Sequence, residues 1–234
     1  MYFYRKFVKP FLPLNIRRRI TNFKFSNYYL KSYSQFGEDL LIHNFFKHTH
    51  NFNKKYLDIG CFHPKMISNT HLLHLNGWKG LVVDTSEYKL NLFKKSRKKS
   101  VDVLNAAVVS NQEQNKYLDF YFFDIPFSEI DTLSYEFAIE KREEREIDFK
   151  VEQINTIRIN ELLTKDDFDF LNIDIEGMDE TIINSIDFST INKPKLICFE
   201  KHNPLKSKIS VDNLENNGYK HLFTTGPSVG YYLQ

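Results

Sequence analysis

Tyr56-Leu-Asp-Ile-Gly60 is the stretch from which the fold can be read. Residues 56–59 form a short apolar run interrupted only by Asp58, and a turn residue ends it. A half-exposed strand would alternate polar and apolar residues, so this run reads as a strand covered on both faces. A helix signal follows the glycine. Ser68-Asn-Thr70 supplies capping residues, Leu72, Leu73 and Leu75 supply an apolar stripe, and Gly77 supplies a stop. Four more such runs recur at 80–84, 101–107, 168–175 and 195–200. Between them Ser86 can cap a helix over 88–96. Gly177 opens another, with Ile182, Ile183 and Ile186 on one face and Asp179 and Glu180 in the first turn. The alternation predicts an α/β fold with a right-handed, doubly wound, mostly parallel sheet. Residues 219–225 and 231–234, joined across 226–230, predict a C-terminal antiparallel hairpin.

A length of 234 residues suits one domain. With 41% hydrophobic residues and only 8 Gly and 7 Pro, the composition excludes collagen-like, low-complexity and disordered chains. No apolar run reaches the roughly 18 residues of a membrane-spanning helix. The interval 110–157 is too long for one structureless loop and is expected to be an insertion of extended segments plus a helix. The single domain is then 32–234, preceded by an arm over 1–31. The first acid of the chain is Glu38, and eight Lys and Arg residues interleaved with aromatics come before it. The arm reads either as a peripheral contact with the inner face of a membrane or a lipid-linked substrate, or as a segment whose aromatics pack on the domain. Two cysteines, Cys61 and Cys198, both in apolar stretches, suggest buried free thiols in a reducing cytoplasm. A net charge of +2 gives no reason to expect a nucleic-acid partner. The basic residues of 89–100 and the mixed charges of 140–146 read as solvated helix faces.

Ligands of open α/β sheets bind outside the carboxyl ends of the strands. Those ends carry Asp58 and Gly60, Asp84, Asn105, Asp174 and Glu176, and Glu200 with His202. Asp58-Ile-Gly60 before a capped helix resembles a nucleotide loop, in which the glycine admits a ligand close to the backbone. Asp84, 26 residues after Asp58, is placed to accept ribose hydroxyls, although it also reads as a turn former before Thr85-Ser86. The loop continues Cys61-Phe-His-Pro64 and is not G-x-G-x-x-G, which argues against a dinucleotide. S-adenosylmethionine is the common ligand that remains.

Five segments, in order, resemble the FkbM-type S-adenosylmethionine-dependent methyltransferases. They are Ser34-Gln-Phe-Gly-Glu-Asp39, Asp58-Ile-Gly-Cys-Phe-His-Pro64 with Ser68-Asn-Thr70, Gly77-Trp-Lys-Gly-Leu-Val-Val-Asp84, Asn105-Ala-Ala-Val108, and Phe168-Asp-Phe-Leu-Asn-Ile-Asp-Ile-Glu-Gly177. The resemblance covers roughly residues 32–203. It implies a class I methyltransferase fold, S-adenosylmethionine as cofactor, and O-methylation of a sugar or natural product. By position, Asp58 and Gly60 would form the cofactor loop, Asp84 would hold the ribose, Asn105 would lie near the adenine, and the stretch around Gln35 would lie over the site. Asp174 and Glu176 would line the place of methyl transfer.

A sugar hydroxyl is a poor nucleophile and benefits from a base or a metal. His202 is the candidate base, with a backbone-bonded loop histidine as the other reading. His63 lies nearer the loop and reads as packing beside Pro64. Asp174, Glu176 and Glu200 together can offer oxygens to Mg²⁺, or else bond loop backbone and cap the next helix. A metal-dependent glycosyltransferase and an inactive nucleoside-binding module are the competing functions.

Overall fold

In a computed structural model of the chain, the described residues are 31–234 without Asp124, Pro126, Glu129 and Glu176. The arm read over 1–31 and its lipid contact therefore lie outside them, apart from Lys31. After helix α1 (Glu38–Lys47), strands β1 (Lys55–Ile59), β2 (Lys79–Asp84) and β3 (Val101–Asn105) alternate with helices α2 (His71–Leu75) and α3 (Glu87–Arg97). The stretch expected as one strand over 101–107 divides at Ala106. Its second part, β4 (Ala107–Val109), leaves the central sheet and pairs with β6 (Phe149–Arg158). β5 (Tyr117–Phe123) runs antiparallel to β6, and helix α4 (Tyr135–Arg145) lies between them in sequence. Helix α5 (Ile159–Leu163) leads back to β7 (Phe170–Ile173), α6 (Asp179–Ser185), β8 (Leu196–Glu200) and α7 (Pro204–Asn216). The hairpin of β9 (Tyr219–Thr225) and β10 (Ser228–Leu233) completes the sheet.

The central sheet has the order β3-β2-β1-β7-β8-β10-β9. The first five strands are parallel, and β10 is antiparallel to both β8 and β9. This is the doubly wound, mostly parallel sheet with a terminal hairpin that the apolar runs predict. Successive strand residues feed opposite cores because side chains alternate across a sheet. Leu57, Val83, Leu171 and Ile197 pack with α5, α6 and α7, while Tyr56, Val82, Phe170 and Leu196 pack with α1, α2 and α3. The insertion has a small core of its own, built on Phe123, Ile130 and Ala138. Cys61 and Cys198 are buried and free. No helix among the described residues is long and apolar enough to cross a membrane.

Two local expectations are corrected. Thr70 precedes α2 but makes no side-chain cap; its hydroxyl donates instead to Asp58 Oδ2 at 2.6 Å. Arg97, read as part of a solvated face, is buried at 2% exposure. Its Nη1 donates to Tyr56 Oη at 2.6 Å and Thr70 Oγ1 at 2.9 Å, and its Nη2 to the Pro64 carbonyl at 2.8 Å and Ser68 Oγ at 3.1 Å. Asp58 lies on the same sheet face, two residues after Tyr56, and Thr70 relays between the two charges. Burial pushes the Asp58 carboxyl up; bonds from Thr70 and Asn172 and the Arg97 charge pull it back. Arg97→Met leaves Asp58 without its cation and Pro64 and Ser68 without their donor, which should cost about 3–5 kcal/mol. Urea denaturation checks this, and an unchanged unfolding midpoint would reject it.

Candidate active site

A cavity of about 350 Å³ opens over the carboxyl ends of the central strands. Its floor is Ile59 and Gly60 from β1, Val83 and Asp84 from β2, and Asp174 and Ile175 after β7, with Glu200 from β8. Ala106 to Val108 and the insertion residues Ser128, Ile130, Asp131 and Thr132 form one wall. Gln35 and Phe36 form another. The acids of Ser34-Gln-Phe-Gly-Glu-Asp39 hold that second wall in place. Asp39 accepts from Tyr33 N at 2.8 Å and Ser34 Oγ at 2.9 Å, and Glu38 accepts from Phe36 N at 2.9 Å. The Phe36 carbonyl accepts from Thr225 Oγ1 at 2.9 Å, which ties the segment to the terminal hairpin.

Gly60 lines the cavity and is also required by the backbone beneath it. Its φ is +78°, and a Cβ there would sit 1.7 Å from the Asp174 carbonyl oxygen. The glycine lets the ends of β1 and β7 come together, and Asp174 N donates to the Ile59 carbonyl at 3.0 Å. Asp84 divides its carboxylate between two tasks. Oδ1 accepts from Ser86 N at 2.7 Å, shaping the turn into α3, while Oδ2 lies 3.9 Å from Lys89 Nζ. Burial pushes its carboxyl up to about 6, against the pull of Lys89 and the Ser86 bond.

Asp58 lies beneath this floor and does not line the main cavity. Its Oδ1 accepts from Asn172 Nδ2 at 2.9 Å, and Asn172 Oδ1 accepts from Asn69 Nδ2 at 3.0 Å. It supports the loop that follows β1. Asn105 gives its amide to the carbonyls of Asp84 at 3.1 Å and Thr85 at 2.7 Å; the next residues, Ala106 and Ala107, reach the cavity instead. His63 Nδ1 accepts from Lys65 N at 3.1 Å and Met66 N at 3.0 Å, so it shapes its own turn. Glu176 lies outside the described residues.

Residues 58–221 match the methyltransferase FkbM domain. The chain belongs to the FkbM methyltransferase family. Among solved structures it aligns with precorrin-6y C5,15-methyltransferase from Geobacter metallireducens, at 14% identity over 88% of this chain and 92% of that one, with a TM-score of 0.42. No curated protein is found to match it.

In this FkbM domain the residue expected as the base, His202, is placed among acids. It stands behind Glu200, outside the cavity lining, with Nε2 3.4 Å from Asp179 Oδ2 and 3.8 Å from Glu200 Oε2. The Asp179 carboxylate at that distance outweighs partial burial and pushes the imidazole up to about 9. At neutral pH His202 already holds the proton a base would take, so it acts as a cation between two acids. Burial and the Asp179 charge push the Glu200 carboxyl up, and the imidazolium restrains it. Among the described residues, no three His, Cys, Asp or Glu side chains gather as a metal would need.

Two features escaped the sequence reading. Glu180, taken as a first-turn acid, accepts from His202 N at 2.8 Å, Asn203 N at 2.9 Å and Ser207 Oγ at 2.8 Å, and so fixes the turn after β8. Lys89, Lys141 and Arg145, taken as parts of solvated faces, line the cavity.

The His202 cation makes stability depend on pH in a definite direction. Its pKa in the folded protein, about 9, lies above the roughly 6.5 of an unperturbed histidine. The stabilisation is therefore complete below about pH 6.5 and is lost as pH rises through about 9. Thermal midpoints measured across that window should fall more steeply for the wild type than for His202→Gln; parallel curves would contradict the pairing.

Proposed function

We propose that this FkbM methyltransferase moves the methyl group of S-adenosylmethionine to a hydroxyl of a sugar, a polysaccharide or another natural product. The observation that carries the reading is one cavity joining Asp84 at the end of β2 to Asp174 and Glu200 at the ends of β7 and β8. Three strand spacings separate β2 from β8 in the sheet order, about 14 Å, which suits an extended nucleoside with an acceptor beyond it. The volume lies within the usual range of small-molecule sites, and the lining fits this ligand. Ile59, Val83 and Phe62 supply apolar surface, and Asp84 keeps one oxygen for ribose hydroxyls. When bound, S-adenosylmethionine supplies a methyl group on a positively charged sulfur. Asp174 and Glu200 place negative charge on the floor beside it and can orient the acceptor hydroxyl, so the chain's contribution is positioning and electrostatics. The basic aromatic arm suits a lipid-linked acceptor or the inner membrane face.

Asp84→Ala leaves ribose hydroxyls unpaired and should weaken S-adenosylmethionine binding by about 2–4 kcal/mol, roughly 30-fold to 1000-fold. Calorimetric titration of the folded variant measures it. Unchanged affinity would refute the ribose assignment, and binding of a UDP-sugar with Mn²⁺ in place of S-adenosylmethionine would indicate a glycosyltransferase. A second expectation concerns Asp174→Asn, which keeps shape but removes charge. Transfer of labelled methyl groups to a panel of glycans should fall about 100-fold or more while cofactor binding persists; transfer within a few-fold of wild type would misplace the chemistry.

A further inference from the structure

Lys89 brings three parts of the molecule to one atom. It lies in the first turn of α3, and its side chain is only 12% exposed. Nζ donates to the Ser128 carbonyl of the insertion at 2.8 Å, stands 3.9 Å from Asp84 Oδ2 on β2, and lies 5.5 Å above the Phe62 ring of the loop after β1. All four residues border the same cavity.

We propose that Lys89 is a positioning residue of the cofactor site, pinning the insertion around Ser128 across the cavity and keeping Asp84 in the carboxylate form that ribose hydroxyls require. The inference rests on the S-adenosylmethionine reading above. With Oδ1 taken by Ser86 N, the ionised Asp84 still offers Oδ2 as a charged acceptor, whereas protonation removes that charge and part of the accepting capacity. Among the described residues, the titratable groups that bear on Asp84 are Lys89 from α3, Asp131 from the insertion, and Asp58 and Cys61 at the end of β1. The Cys61 thiol is pushed well up by burial and stays neutral. Asp131 and Asp58 both favour protonation of Asp84, and so does burial; Lys89 is the cation that opposes them, helped by the Ser86 N–H. The same ammonium cannot leave Asp84 without releasing the Ser128 carbonyl, so ionisation of the ribose acid and placement of the insertion are coupled through one group.

The test is calorimetric titration of the full chain with S-adenosylmethionine between about pH 5.5 and 8.5, for wild type, Lys89→Met and Lys89→Arg. Wild-type affinity should fall as pH drops through about 6, where Asp84 protonates. Lys89→Met should move that midpoint up by about one pH unit. At pH 6 the ionised fraction then drops from about one-half to about one in eleven, an additional loss of about fivefold that fades towards pH 8. Lys89→Arg should restore the wild-type profile. Limited proteolysis with proteinase K should cut the 123–134 stretch faster in Lys89→Met than in wild type. A Lys89→Met protein with unchanged affinity, or one weakened by the same factor at every pH, would overturn the proposal. If the wild type bound no S-adenosylmethionine at any pH, the functional reading would fall and, with it, the ribose role of Lys89; unchanged proteolysis alone would overturn the pinning.

Discussion

A guanidinium buried beneath the loop that follows β1 is the constraint on which the rest of this protein depends. Arg97 ends α3, yet its donors reach the Tyr56 hydroxyl on β1, the Pro64 carbonyl in the loop, and the hydroxyls of Ser68 and Thr70 ahead of α2. A cation can stay there only because an anion is close and the polar atoms around it are bonded to one another. Asp58 is that anion, and Asn172 on β7 closes the other side of its carboxylate. β1, β7, the loop and α3 therefore meet at this one charge pair. β1 and β7 are held level, the loop is drawn down, and α3 is set so that its first turn faces Asp84.

Above the buried pair the cavity floor is a row of strand ends, and its charges are managed one at a time. Asp84 has Lys89 beside it, and Glu200 has the imidazolium of His202, itself held by buried Asp179. Each of these acids has a cation from an adjacent helix or turn beside it, which opposes the upward push that burial gives its carboxyl. That arrangement suits a ligand which carries a positive centre and hydroxyls. Gly60 contributes by subtraction: lacking a side chain, it lets the Asp174 backbone approach until the two strand ends share one floor.

What the sequence reveals and what it hides divide along physical lines. The central strands are legible because burial on both faces leaves continuous apolar runs, and the Ser86 cap is legible because its partner, Lys89 N, lies three residues away. Asp84 is legible from its place at a strand end. The misread residues have partners that are distant in the chain. Arg97 bonds residues 27 to 41 positions earlier, and Lys89 reaches Ser128, 39 positions later. Six basic residues between 89 and 99 look like one solvated face when pattern alone is read; only tertiary packing shows that two of them turn inward. His202 illustrates a different gap. Its type and location point to a base, but protonation is decided by Asp179, which the sequence presents as a helix-dipole acid. Thr70 is the subtlest of these cases, because a capping residue and a buried hydroxyl donor are the same residue until the neighbouring carboxylate is located.

The separate small core of the insertion has a consequence for how the cavity can change shape. Phe123, Ile130 and Ala138 pack among themselves and with Phe137 and Phe149, apart from the two cores that flank the central sheet. The segment borders the cavity, yet its apolar packing is local and does not merge with the cores of the central sheet. The segment can therefore shift as a small unit beside the central sheet, with the Lys89 to Ser128 bond as a tie between them. In such a layout a change in the packing of Phe123, Ile130 and Ala138 is felt at the cavity wall through Ser128, Asp131 and Thr132, while the floor of strand ends keeps its own support.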